Sequence, residues 1–295
     1  MGVEVTDERT QAVTRADRVT SPADVEIGIL TKGKPTLGMV LTSLLLQESI
    51  NLRIHVVDTS ARPVITRDDV RFALRLAGDR GIRCSYEFAG ESVRAFSSGK
   101  ARLIRELSGL HLCLVDDDVV LPSAALARLV DTAQRSGIYG YICALCVNAP
   151  NLVGDSSNRP AWSPGSLIYQ DELVHRILLD YYDSTVDVLD QDESEEKVWE
   201  PAFLMTLFEA LDRPAIRQND TVTYHLDYHE GPHWIEDERT VVARSRNIAR
   251  DLANRALDSS LGARKTRARS TESVTRERAR PSWLARARRS LRLPP

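Results

Sequence analysis

Between Val25 and Val147 short apolar runs alternate with longer stretches whose apolar residues recur at helical spacing. Val25-Glu-Ile-Gly-Ile-Leu30 reads as a strand. Pro35 stands where a first helical turn tolerates a missing N–H, and Leu37, Val40, Leu41 and Leu44 fall at i, i+3, i+4 and i+7, one helical face. Leu52–Val57 predicts a second strand, closed by Asp58-Thr-Ser-Ala-Arg-Pro63. Thr66 and Asp69 have capping-box spacing, opening a helix with Val70, Ala73, Leu74 and Ala77 inward, which Gly78 and Gly81 stop. Ile82–Phe88 predicts a third strand and residues 97–107 a helix. His111–Val115 predicts a fourth strand, which runs straight into Asp116-Asp117-Asp118. A helix from about Pro122 to Gln134 and a fifth strand over Ile138–Val147 come next.

Strands separated by helices require crossover connections, so the pattern implies an α/β, Rossmann-like domain with a mostly parallel central sheet and helices on both faces. Ligands of such sheets bind at the carboxyl ends of the strands, where Thr31, Asp58 and Asp116–Asp118 all fall. Residues 148–166 hold three prolines and little apolar period, which reads as a loop or lid over that edge. A more helical, acidic section runs to about Leu211, a strand covers Thr221–His225, and residues 239–257 read as helix. The resulting division is a flexible leader (1–23), a first half of the domain (24–147), a second half (148–262) and a tail (263–295).

Composition narrows the class. With 42% hydrophobic and 27% charged residues in 295, the chain is ordinary for a globular protein, which excludes collagen-like and wholly disordered readings. No apolar run approaches the roughly 18 residues of a spanning helix, and the polar N-terminus lacks a signal peptide's apolar stretch. Four cysteines make no disulfide framework, so a cytoplasmic setting is expected. The net charge of −3 conceals an asymmetry: residues 263–295 carry 11 Lys+Arg against 2 Asp+Glu, the rest 28 against 40. An acidic body argues against a dedicated nucleic-acid binder. The basic tail reads as disordered, with a basic amphipathic turn over Trp283–Leu293 as the alternative, giving weak peripheral contact with an anionic membrane surface. Met1-Gly2 with Thr6 fits a short myristoylation pattern.

The strongest chemical feature is the aspartate run at a strand end. Adjacent carboxylates repel one another, and a partly desolvated trio is best tolerated around a divalent cation; oxygen ligands of this kind suit Mg²⁺ or Mn²⁺ and leave room for phosphate oxygens. The bland alternative is a solvated acidic turn before Pro122. His225, His229 and His233 recur every four residues, but Gly231-Pro232 breaks any common helix. Cys143 and Cys146 have zinc spacing yet sit in an apolar strand without a second pair, which reads as core. Trp162 and Trp234 read as sugar-stacking or packing residues.

In this order and spacing, Ile29-Leu-Thr-Lys-Gly-Lys-Pro35, Leu41-Thr-Ser-Leu-Leu-Leu-Gln47, Ile54-His-Val-Val-Asp-Thr-Ser60, Gly99-Lys-Ala-Arg102 and Leu114-Val-Asp-Asp-Asp-Val119 resemble the nucleotide-binding half of a family 2 glycosyltransferase with the GT-A fold. The resemblance is close over Val25–Asp118 and looser to about His225. It implies that residues 24–147 bind a nucleotide-diphosphate sugar and 148–262 hold the acceptor and the base. Thr31 and Pro35 would then lie against the nucleotide, Asp58 would hold base or ribose, and Lys100 and Arg102 would approach the nucleotide and diphosphate. Asp116 would face the ribose, with Asp117 beside it, and Asp118 the metal, with Asp116 and His225 as further ligands. Two departures stand out: Thr59 follows Asp58 where the family usually has a second acid, and Leu103 follows Arg102 where Asn is common.

Breaking an anomeric C–O bond leaves negative charge on the departing diphosphate, which a metal ion neutralises, so what remains to be supplied is a base for the acceptor. The family's acidic pair at a helix start is matched by Glu195–Glu196, with Glu196 as base and Glu200 as reserve; helix-dipole stabilisation in a first turn is the structural alternative. The expected function is a metal-dependent, inverting transfer to a small-molecule, peptide, lipid or glycan acceptor. A sugar nucleotidyltransferase would want a Gly-rich loop where Thr31-Lys-Gly-Lys34 has one glycine. A receiver-type signalling domain would leave the second half unexplained, and a catalytically silent sugar-nucleotide binder keeps the same fold.

Overall fold

The apolar runs become strands at the expected places, and their order in the sheet decides which side chains meet. The computed structural model describes residues 11–13, 24–91, 95–137, 139–148, 161–162, 165–184, 200–226 and 240–259. Met1–Ala253 forms one unit, which contains the sheet and the candidate site; Asn254–Pro295 is a second, helical over its described residues 254–259. The elements are β1 (Gln11–Val13), β2 (Val25–Thr31), α1 (Leu37–Leu45), β3 (Leu52–Asp58), α2 (Asp68–Asp79), β4 (Arg83–Phe88), α3 (Ala95–Glu106), β5 (His111–Asp116) and β6 (Val119–Val120). After them come α4 (Ala125–Ser136), β7 (Tyr141–Asn148), β8 (Ala161–Trp162), β9 (Ser166–Tyr169), α5 (Glu172–Ser184), α6 (Glu200–Ala210) and β10 (Ala215–His225). Residues 240–253 are also helical. No described helix is long and apolar enough to cross a membrane.

Among the described residues the strands form one sheet in the order β1-β4-β3-β2-β5-β9-β7-β10-β6, with β8 paired to β7. Strands β4, β3, β2 and β5 are mutually parallel, as are β7 and β10. The register sets Thr31 beside Asp58 and Leu30 beside Asp116, so the predicted site residues share one carboxyl edge. This is the mixed α/β, GT-A-type arrangement expected from the sequence, with the antiparallel β9 inserted between β5 and β7. An all-parallel receiver-type sheet is thereby excluded. Gln11–Val13, expected within a flexible leader, pairs antiparallel with β4, whose edge would otherwise present unpaired backbone groups.

Alternation along β2 divides the two faces. Val25, Ile27 and Ile29 enter a core built with Leu37, Val40, Leu41 and Leu44 of α1, Val70, Ala73 and Ala77 of α2, and Leu126 and Leu129 of α4. On the other side, Gly28 lies under Leu103 and Leu107, and Leu30 under Gly99, all of α3 or its C-terminal end; α3 in turn packs on α5. A Cβ on Gly99 would stand 2.3 Å from Leu30 Cδ1, so the glycine permits the close approach that brings the next residue, Lys100, to the sheet edge.

Three further features differ from the sequence expectation. The Thr66–Asp69 capping box does not form: the Thr66 hydroxyl donates to Pro63 O at 2.7 Å, and Asp69 takes both Nε (3.1 Å) and Nη2 (2.6 Å) of Arg67. Ser166–Tyr169, at the end of a stretch read as loop and helix, is a buried strand. The late strand is longer than Thr221–His225: it starts at Ala215, runs parallel to β7 and shifts register between Gln218 and Val222. That shift lets its end pair antiparallel with β6, matching His225 to Val119 and Tyr224 to Val120.

The chain leaving the aspartates is pinned from the turn just after α1. Buried Gln47 donates from Nε2 to Leu121 O (3.2 Å) and Pro122 O (2.7 Å) and accepts from Leu126 N–H at 3.1 Å. Gln47→Leu leaves those backbone groups buried and unpaired, so it is expected to lower unfolding free energy by about 1–3 kcal/mol, measured by urea denaturation; a stability equal to the native protein's would refute this account.

Candidate active site

The loop between β2 and α1 takes its shape from side chains beneath it. Thr31 is fully buried; its hydroxyl donates to Asp117 Oδ2 at 2.6 Å and accepts from Gly33 N–H at 2.9 Å. Gly33 has φ +93°, a left-handed conformation that favours glycine. Arg67, just before α2, grips the outer side of the loop, donating to Gly33 O (3.2 Å), Lys34 O (2.6 Å) and Pro35 O (2.8 Å). From this clamped backbone the Lys34 ammonium reaches Asp118 Oδ2 and pairs with it.

Each aspartate has its own partners. Asp116 is the open one, its side chain 43% exposed, with Lys100 Nζ at 3.6 Å. Asp117 is buried against Thr31; burial, with Asp118 and Asp116 nearby, raises its pKa despite the Thr31 hydrogen bond and Lys34. Asp118 is buried too, but burial is outweighed by His225 and Lys34, and its pKa is lowered. His225 Nε2 lies 3.2 Å from Asp118 Oδ2, carried there by the β6–β10 pairing, and Leu226 N–H donates to Asp118 O at 2.8 Å.

Behind Asp116 lies a second charge cluster. Lys100, 1% exposed, stands 3.3 Å from Glu200 Oε2 and 5.5 Å from the Phe96 ring centroid, a cation–π contact. The Tyr182 hydroxyl donates to the other Glu200 oxygen. Tyr181 of α5 stacks on Phe203 of α6 at 3.7 Å and 12°, which holds the two helices together. Burial alone would depress the Lys100 pKa; Glu200 and Asp116 reverse this and raise it. Glu200, with a side chain 19% exposed, has its pKa raised by burial and by Asp116, against the opposing effect of Lys100.

Of the residues singled out from the sequence, Thr31, Lys100, Asp116, Asp117, Asp118, Glu200 and His225 are thus joined by short contacts at one edge. Pro35 is exposed on the same loop. Arg102 is not brought in: two residues after Lys100 on α3 it points elsewhere and pairs with Glu87 of β4. Asp58 is at the edge but fully buried, and both oxygens are engaged: Oδ1 by Ser60 N–H (2.9 Å) and Ser60 Oγ (2.6 Å), Oδ2 by Val64 N–H (2.8 Å) and the Tyr86 hydroxyl. Burial and the Asp58 carboxylate push the Tyr86 pKa up, keeping it a donor. Through these four donors the carboxylate expected to hold base or ribose ties down the turn after β3. Cys143 and Cys146 are buried, as expected of core residues. Glu195, Glu196, His229, His233, Trp234, Met1, Gly2, Thr6 and the tail from Ala263 lie outside the described residues, as does the Trp162 side chain. Sequence reasoning assigned no role to Lys34, Arg67 or Tyr182; only Lys34, inside the Lys-Gly-Lys run, carried a visible signal.

The donor set at Asp118 suits a divalent cation. A carboxylate oxygen and an imidazole nitrogen converge within 3.2 Å, and the Lys34 ammonium on the same oxygen marks a position that favours positive charge. Among the described residues no three His, Cys, Asp or Glu side chains form a ready-made cage, so the convergent protein donors here are the Asp118 carboxylate and the His225 imidazole. For Asp116 this narrows the expectation, since its carboxylate faces Lys100.

No family model and no curated protein sequence matches the chain. Solved structures do. S. aureus TarS is 12% identical, TM-score 0.49, over 69% of this chain and 36% of that one, so this chain spans about a third of that protein. TarS 1–349 in complex with UDP is 12% identical, TM-score 0.50, over 79% of this chain and 70% of that one. The mannosyltransferase PcManGT from Pyrobaculum calidifontis, in complex with GDP-Man and Mn2+, is 16% identical, TM-score 0.49, over 89% and 83%. The chain therefore shares its fold with TarS 1–349.

The arrangement around Asp58 gives a direct expectation. Asp58→Asn puts an amide NH₂ where a donor now points, and should lower stability by about 1.5–3 kcal/mol, read as a fall in Tm and in the urea midpoint. Native stability in that variant would return Asp58 to the status of an uncommitted ligand.

Proposed function

We propose that the chain is a GT-A glycosyltransferase that moves a sugar from a nucleoside-diphosphate donor to an acceptor nucleophile by single, inverting displacement, with Mg²⁺ or Mn²⁺ at Asp118. The observation that carries this reading is a buried Asp118 at the carboxyl edge of the sheet's parallel strands, met by Lys34 and His225, which hold its pKa down. Asp118 and His225 would hold the ion, whose chemistry is to offset the charge that gathers on a departing diphosphate. The fold shared with TarS 1–349, solved with UDP, makes UDP the first nucleotide to test.

The remaining roles rest on placement. The clamped Gly33–Pro35 backbone forms a floor for the nucleotide, with Thr31 and Asp117 bracing it from below. Asp116, the exposed carboxylate, accepts from ribose hydroxyls. Lys100 offsets the charge of Asp116 and Glu200, so the edge does not repel an anionic donor. Glu200 takes the acceptor's proton at a carboxylate oxygen. Its raised pKa suits a base better than an ordinary carboxylate would, and it is preferred to Glu195 and Glu196 for its contacts with Lys100 and Tyr182.

Thermal-shift measurements with UDP and GDP, with and without Mn²⁺, test the donor site. Ligand stabilisation should require the metal and vanish in Asp118→Ala; equal stabilisation in metal-free solution would refute the ion assignment. In Glu200→Gln, nucleotide binding should persist while donor turnover falls by about 10²-fold or more. Unchanged turnover would remove Glu200 from the chemistry.

A further inference from the structure

Lys34 is the cation in contact with Asp118 that sits on a half-open loop. Its side chain is 37% exposed, whereas Asp118 is 3% exposed and Lys100 1%. The loop backbone is held at three consecutive carbonyls by Arg67, and its base by the Thr31 hydroxyl on Gly33 N–H. Movement at this point therefore belongs to the lysine stem, a flexible four-carbon arm bearing a compact charge, and not to the loop. The same Asp118 oxygen faces His225 Nε2 at 3.2 Å. A divalent ion held by that oxygen and nitrogen would face the ammonium at close range, and two cations cannot share one carboxylate oxygen without strong repulsion.

From this geometry we infer that Lys34 is a tethered counter-ion that competes with the divalent cation for Asp118 and is released to the donor's diphosphate. The inference rests on the reading of Asp118 as the ion's ligand and adds a regulation of that site. Without nucleotide, Lys34 neutralises Asp118 and holds metal affinity down. A diphosphate supplies new anionic oxygens beside the loop, so the ammonium exchanges one anion for another and the carboxylate opens to the metal. Metal and nucleotide therefore bind with positive coupling, and each raises the other's affinity by the same factor. The arrangement also keeps the aspartate edge neutralised between turnovers.

The test is Mn²⁺ binding followed by the electron paramagnetic resonance signal of free Mn²⁺, on the native protein, Lys34→Met, Lys34→Gln and Asp118→Ala, each alone and with saturating UDP or GDP. Without nucleotide, both Lys34 variants should bind Mn²⁺ about two- to fivefold more tightly than the native protein, the scale of one released ion pair. The enhancement of Mn²⁺ affinity by nucleotide should shrink by a similar factor in both. Native or weaker Mn²⁺ affinity in the two Lys34 variants, with binding lost in Asp118→Ala, overturns the competition and leaves the ion site standing. Absence of Mn²⁺ binding in the native protein and in both Lys34 variants, with either nucleotide, overturns the ion assignment and the competition together.

Discussion

Three consecutive carboxylates at the end of a buried strand set the constraint on this molecule. Brought together in a poorly solvated edge they repel one another, and a sheet that ended in them alone would be destabilised by their ionisation. The protein distributes the compensation. Asp116 receives Lys100 from α3, Asp117 receives the Thr31 hydroxyl from β2, and Asp118 receives Lys34 from the β2–α1 loop and His225 from β10. The partners come from positions 31 to 225, so the site is assembled only when the whole sheet is. Features that look peripheral serve this end: the two-residue β6, the register shift in β10 and the Gln47 hydrogen bonds all hold the chain that enters and leaves the aspartates.

The two lysines solve different problems. Lys100 is enclosed between two carboxylates and an aromatic ring, and removing it would leave buried charge without compensation. It is a fixed part of the wall. Lys34 meets Asp118 from a half-open side, and its backbone is anchored independently of its ammonium. On the proposed reading, a fixed positive charge suits Asp116 and Glu200 beside an anionic donor, and an exchangeable one suits the carboxylate whose partner would change as that donor binds.

Much of this was legible in the sequence, for physical reasons that can be named. The alternation in Val25–Leu30 and Leu52–Val57, and the i, i+3, i+4, i+7 face of α1, are strong periodic signals, and the crossover rule converts them into a parallel sheet with its site at one edge. Asp116–Asp118 stood out as an unbroken acidic run against an apolar strand. The less legible parts depend on distant partners. Ser166–Tyr169 is four residues long and comes after a proline and a glycine, so nothing local separates it from loop. The extension of β10 to Ala215 runs through polar Arg217, Gln218, Asn219 and Asp220, which lack a strand's alternation. Asp58 and Arg102 were matched by motif position, but a motif does not encode which way a side chain turns. Asp58 turns inward to four donors, and Arg102 lies about 200° around the helix from Lys100.

Glu200 shows how the two halves of the domain depend on each other. It begins α6, in the half read from the sequence as acceptor-binding, yet its charge is balanced by Lys100, which lies in the half read as nucleotide-binding and whose approach requires Gly99. Its proton affinity is therefore not a property of the helix that carries it. Burial and Asp116 raise it while Lys100 restrains it, and Tyr182, fixed by the Tyr181–Phe203 stack, decides which lone pairs remain available. A carboxylate in the first turn of an isolated helix would be held in its ionised form by the helix dipole and solvent. Here the same position becomes a group with raised proton affinity, because the sheet edge supplies both the low polarity and the neighbouring charges.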